Sequence, residues 1–271
     1  MNLASQQLAQ KKVNGRRMLI GNVANEGPLF VPPTIQTESD LTGWLHQEFE
    51  NLSNQQIQSI LNANPNTANT DPAGLRFETD GIHPPNAVNV SQDSNGQQQR
   101  GANIYAESTF VCPSYWIADA YSSGGKSAWY YQYSVPFAFH GTDVAAYFGP
   151  KTENQGVDIV LATKKIWGNF VTENNPSISN AIANGAGSSN PNAANGASNW
   201  PKWTLNNPQM LNINQTGGIP YQFATQWGTT VTQFKEPGLK NSISLANAET
   251  WEGGRGSRCD FWLGMAPNIP A

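Results

Sequence analysis

Chemistry that needs an imidazole has three places to start in this chain: His46, His83 and His140. His46 lies in a helical pattern and His83 in a proline-rich His-Pro-Pro-Asn loop, where an ordinary solvent-facing residue is the simpler reading. His140 follows an aromatic run, in FAFHGTDVAAYFGP. A loop histidine directly after a strand sits where the reactive groups of open α/β sheets gather. Taken alone, an ordinary loop residue is still the simpler reading of it. Glu26 has a matching setting, a carboxylate in an Asn-Glu-Gly loop right behind the apolar run RRMLIGNV. A carboxylate and an imidazole at neighbouring strand ends could supply the acid and base of a nucleophilic triad. The carboxylate would fix the ring's tautomer, and the ring would take and return the nucleophile's proton. The sequence contains no Gly-x-Ser-x-Gly elbow, since GAGSSN from Gly185 and GRGSRC from Gly254 lack the second glycine, and it contains no His-Gly-Gly-Gly loop.

The elements that must position these residues are an alternation of strands and helices. Arg16 to Val23 is short, apolar and closed by a polar turn, which predicts a buried strand delivering the chain to Glu26. Ser127 to Val135 places Trp129, Tyr131, Tyr133 and Val135 at a period of two, the pattern of a strand with one packed face, delivering the chain to His140. Between them, Leu41, Trp44, Leu45, Phe49 and Leu52 recur at helical spacing. Ser53 with Gln56 forms a capping box ahead of a helix carrying Ile57, Ile60 and Leu61. Residues 64–75 and 81–100 read as surface loops leading into a polar helix near Gln97, and Phe110 to Tyr121 as a buried helix. Ile159, Ala162, Ile166 and Phe170 mark a further helix. The apolar-poor stretch 183–200 predicts a mobile surface insertion. Gln209 to Asn214 reads as a strand, and Ala246 to Leu263 as a helix interrupted by Gly253, Gly254 and Gly256.

Composition narrows the function classes. The 271 residues carry a formal net charge of -4, with 38% hydrophobic and only 13% charged residues. The one basic cluster, Lys11 to Arg17, is too short to neutralise a track of phosphates, so nucleic acid is not an expected partner. No run reaches the roughly 18 apolar residues of a membrane-spanning helix, and the first residues, MNLASQQLAQKKVNGRR, lack the apolar centre of a signal peptide. The two cysteines, Cys112 and Cys259, have no metal-ligand spacing; a long-range disulfide and two buried thiols are both open to them.

The order of Glu26 and His140 matches the last two members of the chain order Ser, Asp/Glu, His of α/β-hydrolases. Longer stretches then carry a family resemblance. RMLIGNVANEGPLF is similar to the segment bearing the triad acid of type-B carboxylesterases and cholinesterases, AESTFVCPSYW to the helix with the first cysteine of their C-terminal disulfide, and YQYSVPFAFHGTDVAAYFG to the strand and loop with the triad histidine. IWGNFVTENNPSI with NWPKW resembles the late helix and proline loop, and RCDFWLGMAP the closing helix with the partner cysteine. The likeness runs in family order and lies nearest the secreted fungal branch.

The resemblance implies the C-terminal part of an α/β-hydrolase fold, with the last sheet strands, their packing helices and an incomplete sheet, as one portion of a carboxylesterase type-B domain over 1–271. Glu26 and His140 become the triad acid and base, with no nucleophile in the chain. Asp143 matches an acidic position that supports the histidine, an exposed loop aspartate being the alternative. Cys112 and Cys259 become a disulfide, worth about 4 to 5 kcal/mol in the chain-entropy model. Sequons at Asn51, Asn89 and Asn214 become glycosylation candidates in a secreted protein, although this chain carries no signal peptide. The chemistry expected is hydrolysis of a carboxylic ester by the complete enzyme, with no metal and no cofactor. This chain is expected to be inactive and aggregation-prone alone, whether as a C-terminal fragment, a truncated gene model or a pseudogene product, and a missing N-terminal half is its natural partner. The other reading is a non-catalytic, cholinesterase-like interaction protein.

Overall fold

Seven residues in the middle of the molecule, Ser127–Tyr133 (β2), are buried without exception. Ala128 and Tyr130 point into one apolar cluster and Trp129, Tyr131 and Tyr133 into the other. The period of two in the sequence suggested a single packed face; instead, both faces of β2 are covered. The reason lies in its neighbours. β1 (Arg17–Val23) runs parallel to it, with Leu19 beside Trp129 and Val23 beside Tyr133. β3 (Gln209–Ala224) pairs in parallel on its other side, from Met210 beside Tyr130 to Ile213 beside Tyr133. A strand between two parallel partners belongs to a layer whose crossover helices cover both faces. β4 (Thr230–Asn247) closes the order β1-β2-β3-β4 by an antiparallel pairing with β3. The computed structural model describes residues 3–66, 91–94, 96–226 and 228–269.

After a short helix α1 (Ala4–Ala9), the first crossover runs through α2 (Glu38–Glu48), α3 (Asn54–Ala63), α4 (Gly96–Ala106), a widened π-type turn (Glu107–Val111) and α5 (Cys112–Ala120). Leu41, Leu45, Ile57, Ile60, Ile104 and Trp116 from these helices build the core on one face of the sheet. Thr37 and Ser53 each close a capping box, so α2 and α3 begin where the side-chain hydroxyl satisfies an N-terminal N–H. The second crossover, α6 (Val144–Phe148), α7 (Val157–Glu173) and α8 (Asn180–Asn184), covers the other face with Ile159, Ile166 and Ala183. The result is a mixed, open α/β sheet in which β1 has β2 as its one strand neighbour among the described residues.

The stretch 183–200 touches the sheet at a few points, with Ala183 and Ala197 fully buried and the Asn195 side chain donating to Ile243 O at 3.0 Å on β4, while most of its other residues are half-buried or exposed. Small residues are what this contact needs, because a Cβ on Gly196 would come within 2.5 Å of Leu245. Two expectations change: the β3–β4 hairpin is long and continues far past Asn214 by way of an irregularity between Gly217 and Ile219. β4 also takes Ala246, so the last helix, α9 (Trp251–Met265), begins later than its composition suggested. Its opening is bent at Glu252, Gly253 and Gly254, all with positive φ. Cys259 of α9 is joined to Cys112 at the start of α5, across 147 residues of sequence.

Candidate active site

Beyond the sheet the ends of β1 and β2 stay together. Ala24 N–H donates to Tyr133 O at 3.0 Å and Asn25 N–H to Ala138 O at 2.9 Å, and Asn25 forms an isolated parallel bridge with Phe139. The next residue on each strand end is therefore forced alongside the other: Glu26 and His140. Glu26 turns back so that Oε1 accepts from Val23 N–H at 2.8 Å, while Oε2 accepts from His140 Nδ1–H at 2.6 Å. With Nδ1 protonated and tied to a carboxylate, the neutral ring presents Nε2 as its basic atom. Among the described residues no side chain hydrogen-bonds Nε2.

Two glycines make this approach possible. A Cβ on Gly27 would lie 1.9 Å from Ala102 O, so the backbone after Glu26 passes against α4 at a distance only glycine permits. Gly141, with φ +84°, lets the chain turn sharply behind His140, and Thr142 closes that turn by donating to Phe139 O.

The pair is asymmetric in burial: the Glu26 side chain is 8% exposed and that of His140 41%. Two rings hold the imidazole, Phe110 with its centroid 4.7 Å away and Phe30 edge-on at 5.2 Å. Phe110 comes from the π-type turn, a local widening of the kind often found next to functional sites. The hydrogen bond to Glu26 raises the His140 pKa above its ordinary value, with the charges of Glu26 and Asp143 acting in the same direction and partial burial opposing them.

Asp143 does not hydrogen-bond His140. Its Oδ2 accepts from Tyr147 Oη at 3.1 Å, and Tyr147 Oη is 3.0 Å from Tyr131 Oη. One hydroxyl has one proton, so the order of donation is Tyr131 to Tyr147 to Asp143. Burial pushes the Asp143 carboxyl up from the usual carboxylate range. Its influence on His140 is through charge.

Behind the pair lies a polar cluster that the sequence did not suggest. Glu107, fully buried in the π-type turn, accepts from Arg258 Nη2 at 2.7 Å and from Arg255 Nε at 3.3 Å. Arg255 Nη1 and Trp251 Nε1 both donate to Gln132 Oε1 on β2, at 3.0 and 3.1 Å. The one hint in the sequence was a pair of arginines beside Cys259, which the disulfide brings to the helix holding Cys112.

The remaining sequence candidates stand apart. His46 is half-buried on α2, away from any such pairing, while His83 and Asn89 lie outside the described residues. Asn51 is exposed, in the turn before α3, and the hydroxyl of its sequon, on Ser53, is the cap of that helix. Asn214 is half-buried in β3, and its Oδ1 accepts from Gln215 N–H. Among the described residues no helix is long and apolar enough to cross a membrane, and no three His, Cys, Asp or Glu side chains cluster as metal ligands do.

A family model described as the carboxylesterase family matches residues 2–232. Among solved structures, the crystal structure of Aspergillus niger EstA is similar at a TM-score of 0.52 and 16% identity, covering 93% of this chain and 40% of that one. At that identity the likeness speaks for the fold, and the chain spans well under half of that protein. No curated protein matches with significance. With a family model over most of its length and an α/β arrangement that fits, the chain belongs to the carboxylesterase family.

Proposed function

We propose that this chain supplies the acid and base of a serine carboxylic-ester hydrolase, with Glu26 as the acid, His140 as the base, and a nucleophile contributed from outside these 271 residues. The single observation that supports it most is the 2.6 Å hydrogen bond from His140 Nδ1–H to Glu26 at the ends of two adjacent parallel strands. Glu26 holds the ring through Nδ1, which leaves Nε2 as the basic atom. Nε2 takes the proton of an attacking serine as the serine oxygen bonds to the ester carbonyl, then returns it to the departing alcohol; water repeats the cycle on the acyl-serine. Raising the imidazole's affinity for a proton strengthens it as a base, and the rings of Phe110 and Phe30 limit its rotation.

The isolated chain, without an elbow serine in its sequence, is then inactive toward esters, because the three members of such a triad act as a unit. Secretion and glycosylation belong to the same reading, supported by the sequons at Asn51, Asn89 and Asn214. Reading the DNA ahead of the Met1 codon tests the proposal: an in-frame Gly-x-Ser-x-Gly is expected there. In the longer product His140→Ala should abolish ester turnover, and Glu26→Gln should lower kcat by about 10⁴, as loss of tautomer control does in a serine triad. Full turnover in either variant would contradict it.

A further inference from the structure

The outer half of the β3–β4 hairpin reaches from the sheet to the loops that carry Glu26 and His140. It is fastened on the way: Gln215 Nε2 donates to Asn154 O at 2.5 Å, Lys235 pairs with Glu153 at 2.7 Å, and Thr232 exchanges two hydrogen bonds with the side chain of Gln92. Thr229, at the tip, donates to Asp93. A cavity of about 340 Å³ lies under this tip. Leu29 and Pro28 form one wall, three and two residues beyond Glu26; Phe137 and Phe139 form another, the latter adjacent to His140; Phe223 and Ala224 of the hairpin close the third. The rings of Phe139 and Phe223 are 6.4 Å apart. The walls are mostly apolar, and a chain segment fixed by several hydrogen bonds keeps them apart.

We propose that this cavity receives the apolar portion of the ester and that the hairpin tip sets its size limit. The inference rests on the acid–base reading above, since what makes the cavity a substrate site is that two of its walls are the loops of Glu26 and His140. Pockets for small ligands begin at about 300 Å³ and are lined chiefly by apolar side chains with a few polar groups. At about 30 Å³ per water-sized volume, the space takes an apolar group of roughly ten heavy atoms. The substrates it fits are esters with a medium-length aliphatic or a single-ring aromatic group, not acetyl esters of small alcohols.

Calorimetric titration of the 271-residue chain with 1-octanol, a neutral probe, tests this without any turnover. Saturable one-to-one binding is expected, at least tenfold tighter than 1-butanol. Phe223→Ser and the cavity-filling Ala224→Trp should each weaken octanol binding at least fivefold, while Val171→Ser, on an exposed face of α7, leaves it unchanged. If Ala224→Trp does not fold, as judged by its thermal melt, Phe223→Ser decides alone. Octanol affinity equal in the parent chain and Phe223→Ser, or no saturation in folded protein, would overturn the proposal. Ester hydrolysis surviving His140→Ala in the longer product would instead sink the acid–base reading and leave the octanol result standing.

Discussion

Two buried carboxylates, Glu107 and Glu26, pair with partners of different kinds, and they do opposite things. Glu107 is fully enclosed and faces two guanidinium groups, Arg255 and Arg258. A guanidinium keeps its proton, so the two arginines give Glu107 partners that neither take nor return one. Glu26 is nearly as buried, but its partner is an imidazole with 41% of its side chain in solvent, and among the described residues no side chain hydrogen-bonds its Nε2. Here the proton can leave and return. What separates scaffold from candidate site is thus the partner's ability to titrate and its exposure, since the burial of the carboxylate is much the same in both.

The contrast is broken most severely at Glu107. Removing one side of a buried pair leaves the other charge unpaired, so Glu107→Ala should destabilise by about 3 to 5 kcal/mol, read as a lower urea midpoint. A midpoint within experimental scatter of the parent would mean the cluster carries no structural weight. Next in size is the disulfide that brings the arginines to Glu107: Cys112→Ser with Cys259→Ser should cost about 2 to 5 kcal/mol, seen in the same unfolding curve. A smaller effect is expected at Gly27→Ala, about 1 to 3 kcal/mol from forcing α4 aside, together with loss of the Glu26–His140 hydrogen bond in the imidazole NMR spectrum.

His140→Ala should be the mildest, about 1 kcal/mol or less, because the ring is half in solvent. Its pH signature has a definite sign. The folded pKa lies above the unfolded one, so the stabilisation is fully present below the unfolded value, near 6.5, and is lost as pH rises through the folded value. Urea midpoints of parent and His140→Ala should therefore differ more at pH 5 than at pH 9. A gap that widens toward alkaline pH would contradict the pairing.

The sequence made the two delivering strands legible because both are short, apolar and end in Gly-containing loops; it also exposed α2, α3 and α7 through helical spacing and capping residues. It hid the β3–β4 hairpin, since Gly217, Gly218, Pro220 and the Pro237–Gly238 step all argue against strand by local propensity. Those residues are tolerated in an outer ribbon where the irregularity beside Gly218 absorbs them. In the stretch 183–200 alanine and glycine read as low complexity in one dimension, while Ala183, Gly196 and Ala197 pack closely in three. By position alone Glu26 and His140 were two weak loop signals; the resemblance to type-B carboxylesterases paired them, and the parallel register of β1 and β2 sets them side by side. Glu107 gave no signal, because a glutamate in a helix is ordinarily a solvated residue.

The most direct test is an NMR titration of His140 in the parent chain and in Glu26→Gln. A titration midpoint above the ordinary histidine value of about 6.5 is expected in the parent, moving down when Glu26 becomes Gln. A His140 midpoint that does not change on Glu26→Gln would contradict it.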